Sequence, residues 1–110
     1  MYQEVASMDQ LRAIVIDKSF AFIVIDFYAD WCGPCRAIAP KYHELAEKHP
    51  KAAFLKVNVD RVKEAATYYG VTAMPTFVFL KSGSGEKVET VVGANIAKLQ
   101  TTISNLYASA

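Results

Sequence analysis

The longest apolar run in this chain extends from Phe20 to Ala29, and a single residue, Asp26, interrupts it. Between Ala21 and Ala29 the residues of both parities are apolar, with β-branched Ile23, Val24 and Ile25 in the middle. A strand with one face in water would alternate; this one does not, so both of its faces must be covered. The run is also far shorter than the roughly 20 apolar residues that a membrane span requires. A chain of 110 residues built around such a strand is expected to lay helices on both sides of a sheet.

The remaining segments fit that plan. A short strand is read over Gln3 to Val5. Ser7, with Gln10 three residues on, has the pattern of a capping box, and Leu11, Ile14 and Val15 follow at helical spacing. Trp31 to His49 reads as a helix through Ile38, Tyr42, Leu45 and Ala46, with Pro40 inside it expected to bend it. Ala53 to Val59 is a second apolar strand. Asp60 is expected to cap a helix reaching Tyr69, with Gly70 just past its end. Thr76 to Lys81 and Lys87 to Val92 flank Ser82-Gly83-Ser84-Gly85 as a hairpin, and Asn95 caps a last helix through Leu99, Ile103 and Leu106. The order β-α-β-α-β-α-β-β-α predicts an α/β fold: a central mixed five-stranded sheet flanked by four helices, closed by one antiparallel hairpin. Residues 1–110 are read as a single domain. An apolar share of 53% supplies a core without staples.

Charge narrows the function. Twelve basic and eleven acidic residues leave a net charge of +1, with no basic stripe of the kind that nucleic acid or an anionic membrane surface attracts. No nucleic-acid or membrane partner is expected. The first residues, Met-Tyr-Gln-Glu-Val, carry no basic segment leading into an apolar run, so no secretory signal is read there. A cytoplasmic protein is expected, an organelle reached through a removed transit peptide being the alternative.

The two cysteines, Cys32 and Cys35, stand directly after the two-sided strand in the run Trp31-Cys32-Gly33-Pro34-Cys35. A disulfide between them closes too small a loop to brace the fold, so reactivity is the better reason for the pair. At the start of a helix, residues three apart share a face. Pro34 suits the first turn, where its missing N–H leaves no bond unmade. The first sulfur then lies beside the free N–H groups and partial positive charge of the helix N-terminus, which favour a thiolate. The thiolate is the attacking form, so Cys32 is expected to be the nucleophile, with Cys35 lying deeper. Two inert buried thiols are the alternative. A zinc site would need four ligands, and His43 and His49 stand too far apart on one helix to be a ligand pair; no metal and no cofactor are expected, since no GxGxxG or Walker sequence occurs. Asp26 in the middle of a two-sided strand loses solvation, which raises its pKa and lets it exchange protons with a thiol near neutral pH. An edge-strand aspartate facing water is the alternative.

The run Val24-Ile25-Asp26-Phe27-Tyr28-Ala29-Asp30-Trp31-Cys32-Gly33-Pro34-Cys35, together with Pro40, Lys56, Met74-Pro75-Thr76 and Gly93-Ala94, resembles the thioredoxin family in order and approximate spacing over nearly the whole chain. The resemblance implies the thioredoxin fold for residues 1–110. It implies that Asp26 lies buried behind Cys35 and assists its deprotonation, with Lys56 near Asp26 as a modulator, although a strand lysine is otherwise commonly just solvated. It implies a cis bond before Pro75, facing the cysteines, with the backbone of Met74 offered to an extended substrate peptide. Trp31, Gly33, Pro34, Val92, Gly93 and Ala94 would complete an apolar collar around Cys32. The sequence departs from the family in having Tyr28 where Trp is more frequent, in its Gly-rich hairpin turn, and in having no cysteine beyond the pair.

The activity this implies is protein-disulfide reduction. Client proteins bearing disulfides are the expected partners, and a separate reductase, in this family an NADPH-fed flavoprotein or a ferredoxin-linked enzyme, restores the dithiol. Gly-Pro between the cysteines, rather than a histidine, leans toward a reductant. A monomer is expected. Two rival readings stay open: a binding or assembly module that uses the apolar collar with its redox chemistry idle, and a disulfide-forming oxidant of an oxidising compartment.

Overall fold

In the computed structural model, which describes residues 1–109, the apolar run becomes strand β2 (Ile23–Tyr28), and it lies in the middle of the sheet. The other elements in chain order are β1 (Tyr2–Glu4), α1 (Met8–Val15), α2 (Gly33–Lys48), β3 (Ala53–Asn58), α3 (Lys63–Tyr68), β4 (Thr76–Leu80), β5 (Lys87–Val92) and α4 (Ile96–Ala108). Five strands form one mixed sheet in the order β1-β3-β2-β4-β5. β1, β3 and β2 run parallel, β4 is antiparallel to β2, and β5 is antiparallel to β4. With four helices about five strands, this is the α/β architecture expected from the sequence.

The two faces of β2 explain its unbroken hydrophobicity. Ile23, Ile25 and Phe27 pack on Met8, Leu11 and Val15 of α1 and on Ala65 of α3. Val24 belongs to the opposite cluster, with Ile38, Tyr42 and Leu45 of α2 and Leu99 and Ile103 of α4. Asp26 and Tyr28 share Val24's parity, so they point to the α2 side. The same parity in β1 and β3 puts Glu4 and Lys56 on that side as well.

Tyr42 ties α2 to the sheet. Its ring is buried, and its hydroxyl lies 2.8 Å from Leu55 O and 3.2 Å from Val24 O. Tyr42→Phe removes that donor while keeping the ring, and is expected to cost about 1 kcal/mol in denaturant unfolding. An unchanged transition midpoint would mean the hydroxyl contributes nothing to the docking of α2.

The helix ends agree with the sequence in part. Ser7 Oγ accepts the Gln10 N–H at 3.1 Å, while Gln10 Oε1 accepts from Ala6, one residue before the cap. Asn95 caps α4 through the Lys98 N–H. α2 runs as one helix through Pro40. It begins at Gly33 rather than Trp31, because Cys32 is extended and occupies the cap position itself.

Asp60 is not a helix cap. α3 begins three residues later, behind Val62, with no side chain capping it. Asn58 Oδ1 accepts the N–H groups of Asp60 and Arg61, and Asn58 O accepts that of Val62. That local turn satisfies the donors which a helix starting at Asp60 would have used. The first strand covers Tyr2–Glu4 instead of Gln3–Val5, although the Val5 N–H still bonds Lys56 O at 2.8 Å.

Candidate active site

The chemistry gathers at the end of the sheet where β2 finishes. Phe27 of β2 is in register with Thr76 at the start of β4, and Thr76 with Val92 at the end of β5. Three separate segments, Trp31–Cys35, Met74–Pro75 and Val92–Ala94, therefore meet at one edge. The Gly93 N–H donates to Pro75 O at 2.8 Å, and Gly93 has φ +89°, a conformation glycine adopts without cost. The Met74–Pro75 bond is cis, and Met74 O lies 3.7 Å from Cys32 Sγ.

Cys32 and Cys35 are joined by a disulfide, their Cα atoms 5.3 Å apart. The Cys35 N–H points at Cys32 Sγ, 3.2 Å away, and no acidic residue stands in the first turn of α2. Cys32 Sγ thus takes the place of a capping oxygen at a helix N-terminus, where amide dipoles favour negative charge on sulfur once the bond is reduced. In the disulfide form the two cysteines are almost equally covered, at 5% and 3% exposure, so depth alone does not distinguish them. What each faces does. Cys32 is turned to the Met74 carbonyl, while Cys35 lines a cleft of about 300 Å³ shared with Tyr28, Ala39 and Lys56.

Asp26 is 1% exposed, and neither carboxylate oxygen has a hydrogen-bond partner. Burial raises its pKa from 3.8 to about 7, Lys56 pulling it back and Glu4 pushing it further up. The edge-strand alternative for Asp26 is excluded by its place on β2 between β3 and β4. Lys56 is its direct register partner.

Around the disulfide, Trp31 and Val92 are 67% and 63% exposed. Gly33, Pro34 and Ala94 are also exposed, Met74 and Gly93 are half-buried, and Pro75 is buried. Trp31 Nε1 donates to Asp60 Oδ2 at 3.0 Å, and Arg61 pairs with Asp30 at 3.3 Å. Asp60 thus holds the tryptophan, a role its position in sequence did not reveal. A cavity of about 540 Å³ beside Phe20, Lys51 and Tyr107 lies at the opposite end of β2 from the cysteines. Among the described residues, no group of three or more His, Cys, Asp or Glu is placed to hold a metal, and no helix is long and apolar enough to cross a membrane.

Comparison with known proteins points the same way as the geometry. The family profile described as Thioredoxin matches residues 4–105. Thioredoxin-1 of Schizosaccharomyces pombe is 44% identical over 103 residues, covering 94% of this chain and 96% of that protein. Thioredoxin-2 of Pyricularia oryzae is 54% identical over 87 residues, 79% of this chain but only 50% of that longer protein. The crystal structure of the reduced Schistosoma mansoni thioredoxin pre-protein superposes with a TM-score of 0.88 at 43% identity, covering 96% of this chain and 97% of that one.

Proposed function

The chain belongs to the thioredoxin family and is a thioredoxin-like disulfide reductase, and we propose that its two cysteines divide the reaction between them. In the reduced protein the Cys32 thiolate attacks one sulfur of a partner disulfide. A mixed disulfide forms, and the partner's other sulfur leaves as a thiolate and takes a proton from water. Cys35 then gives its proton to the Asp26 carboxylate and attacks Cys32 Sγ. The remaining partner sulfur departs, and the Cys32–Cys35 disulfide is restored. The partner has gained two electrons, and the chain has lost them.

The observation that carries this reading is the disulfide at the cap of α2, with an unpartnered carboxyl near pKa 7 on the strand that α2 covers. Lys56 modulates that carboxyl. Trp31, Gly33, Pro34, Met74, Pro75, Val92, Gly93 and Ala94 form the surface on which a client's disulfide segment docks, its extended backbone bonding to that of Met74. Electrons come from a separate reductase, an NADPH-dependent flavoprotein, so that the chain serves as an electron carrier. We place it in the cytoplasm, as a monomeric single domain over residues 1–110.

The exposure of Trp31 and Val92 also suits a module that grips a partner without turning over. Insulin reduction by dithiothreitol, followed by turbidity, separates the readings. The wild-type chain is expected to accelerate it, and the Cys32→Ser, Cys35→Ser double variant to fall to the uncatalysed rate. Equal acceleration by both proteins would overturn the redox assignment.

A further inference from the structure

The α2 side of the sheet carries a row of charges that the reaction scheme uses only in part. Glu4 of β1 is in register with Lys56 of β3, and Lys56 is in register with Asp26 of β2. The lysine therefore stands between two carboxyl groups on one sheet face, yet it makes no ion pair within 4.0 Å with either. Its Nζ sits instead 4.4 Å from the centre of the Tyr28 ring, within range of an attractive cation–π contact. The Tyr28 hydroxyl continues across the row and donates to Glu4 Oε1 at 2.6 Å. Tyr28 follows Asp26 by two positions on the same strand face, and with Lys56 it lines the cleft at Cys35.

We propose that Tyr28 and Glu4 are positioning residues for the resolving step: the tyrosine ring holds Lys56 between the two carboxylates, and its hydroxyl keeps Glu4 from capturing the ammonium. This rests on the assignment of Asp26 as the proton acceptor for Cys35. The arrangement balances Asp26 between two opposing neighbours. Lys56 favours the ionised carboxylate that can take the proton, and Glu4 disfavours it. Without the lysine, burial would keep the carboxyl protonated to higher pH, and a direct Lys56–Asp26 ion pair would leave it a weaker base. Tyr2 and Tyr42 also face Asp26 from β1 and α2, but burial raises both phenols above 10, so neither changes charge near neutrality. Phe77, the register partner on β4, carries no charge.

Infrared titration of the oxidised protein reads the carboxyl C=O stretch of Asp26 directly, from about pH 5 to about pH 9 at low salt, and Asp26→Asn identifies the band. Glu4→Gln keeps an acceptor for Tyr28 but removes the charge. Its midpoint is expected to fall by about half a unit, the size that suits charges about 10 Å apart across two strand spacings. Tyr28→Phe frees Glu4 to pair with Lys56, and the midpoint is expected to rise by a similar amount. In a Lys56→Met background the Tyr28→Phe shift disappears while the Glu4→Gln shift remains. Midpoints unmoved in both single variants overturn the proposal, as does a Tyr28→Phe shift that survives without Lys56. The parent assignment fails separately: it is wrong if Asp26→Asn resolves a preformed mixed disulfide as fast as the wild-type chain, whatever the band positions.

Discussion

Cys35→Ser protein, reduced and mixed with disulfide-bearing proteins, is expected to accumulate mixed disulfides on Cys32 that outlive those of the wild type at least about a thousand-fold. The argument is one of effective concentration. The two cysteines, one at the cap and one in the first turn of α2, are held with Cα atoms 5.3 Å apart, so the resolving thiol need not be found by diffusion. Well-oriented intramolecular reactions reach effective molarities on the order of 10⁵ M. Even a value orders of magnitude lower exceeds the millimolar external thiol that must resolve the adduct in its absence. Serine at position 35 conserves shape in a buried site, so the fold is expected to survive, and far-ultraviolet circular dichroism checks this. Non-reducing electrophoresis and mass spectrometry of the adducts identify both the trapped residue and the clients. Cys32→Ser is expected to trap nothing. If adducts form on Cys35 instead, the roles are reversed; if none form on either variant, the two-cysteine mechanism is wrong.

The place of the cysteines and the burial of Asp26 are legible in the sequence, for a physical reason. A strand covered on both faces leaves a mark in sequence that a one-sided strand does not, and the break at Asp26 announces a carboxyl without water. A CxxC directly after such a strand lands at the sheet edge where the next helix begins. What could not be read is what depends on strand order. Glu4 is an ordinary acidic residue on a short edge strand until β1 pairs with β3 and β3 with β2. Only then do Glu4, Lys56 and Asp26 form a row. Tyr28 carried one usable signal, its spacing of two from Asp26, which puts both on one strand face. Asp60 failed differently. Aspartate favours both helix caps and turns, and here Asn58, two residues earlier, took the local donors, leaving Asp60 to Trp31. What sets the two cysteines apart is likewise visible only in space: Met74 O faces one, and the cleft at Lys56 the other.

Asp26→Asn is expected to make the protein more stable at high pH and worse at its reaction. The folded carboxyl titrates at about 7 against 3.8 in its ordinary state, raised first by burial. Between those two values the folded chain holds a proton that the unfolded chain has released. The stability this contributes is therefore complete below about pH 4 and is lost as pH rises through 7. The interval from 3.8 to about 7 corresponds to ~4 kcal/mol of ionisation cost in alkaline solution. Asparagine keeps the shape and cannot ionise, but its amide is buried without partners too, so part of the gain is lost. Urea unfolding is expected to place the variant roughly 2–4 kcal/mol above wild type near pH 9 and level with it near pH 4. A stability difference that does not change with pH would show that Asp26 ionises as freely in the fold as out of it. The same substitution is expected to slow resolution of the mixed disulfide by about 10²–10⁴-fold near neutrality, the range usual for a positioned proton acceptor. The two effects share one cause. Burial that makes ionisation costly also brings the carboxyl's titration towards neutral pH, which suits the proton acceptor proposed for Cys35.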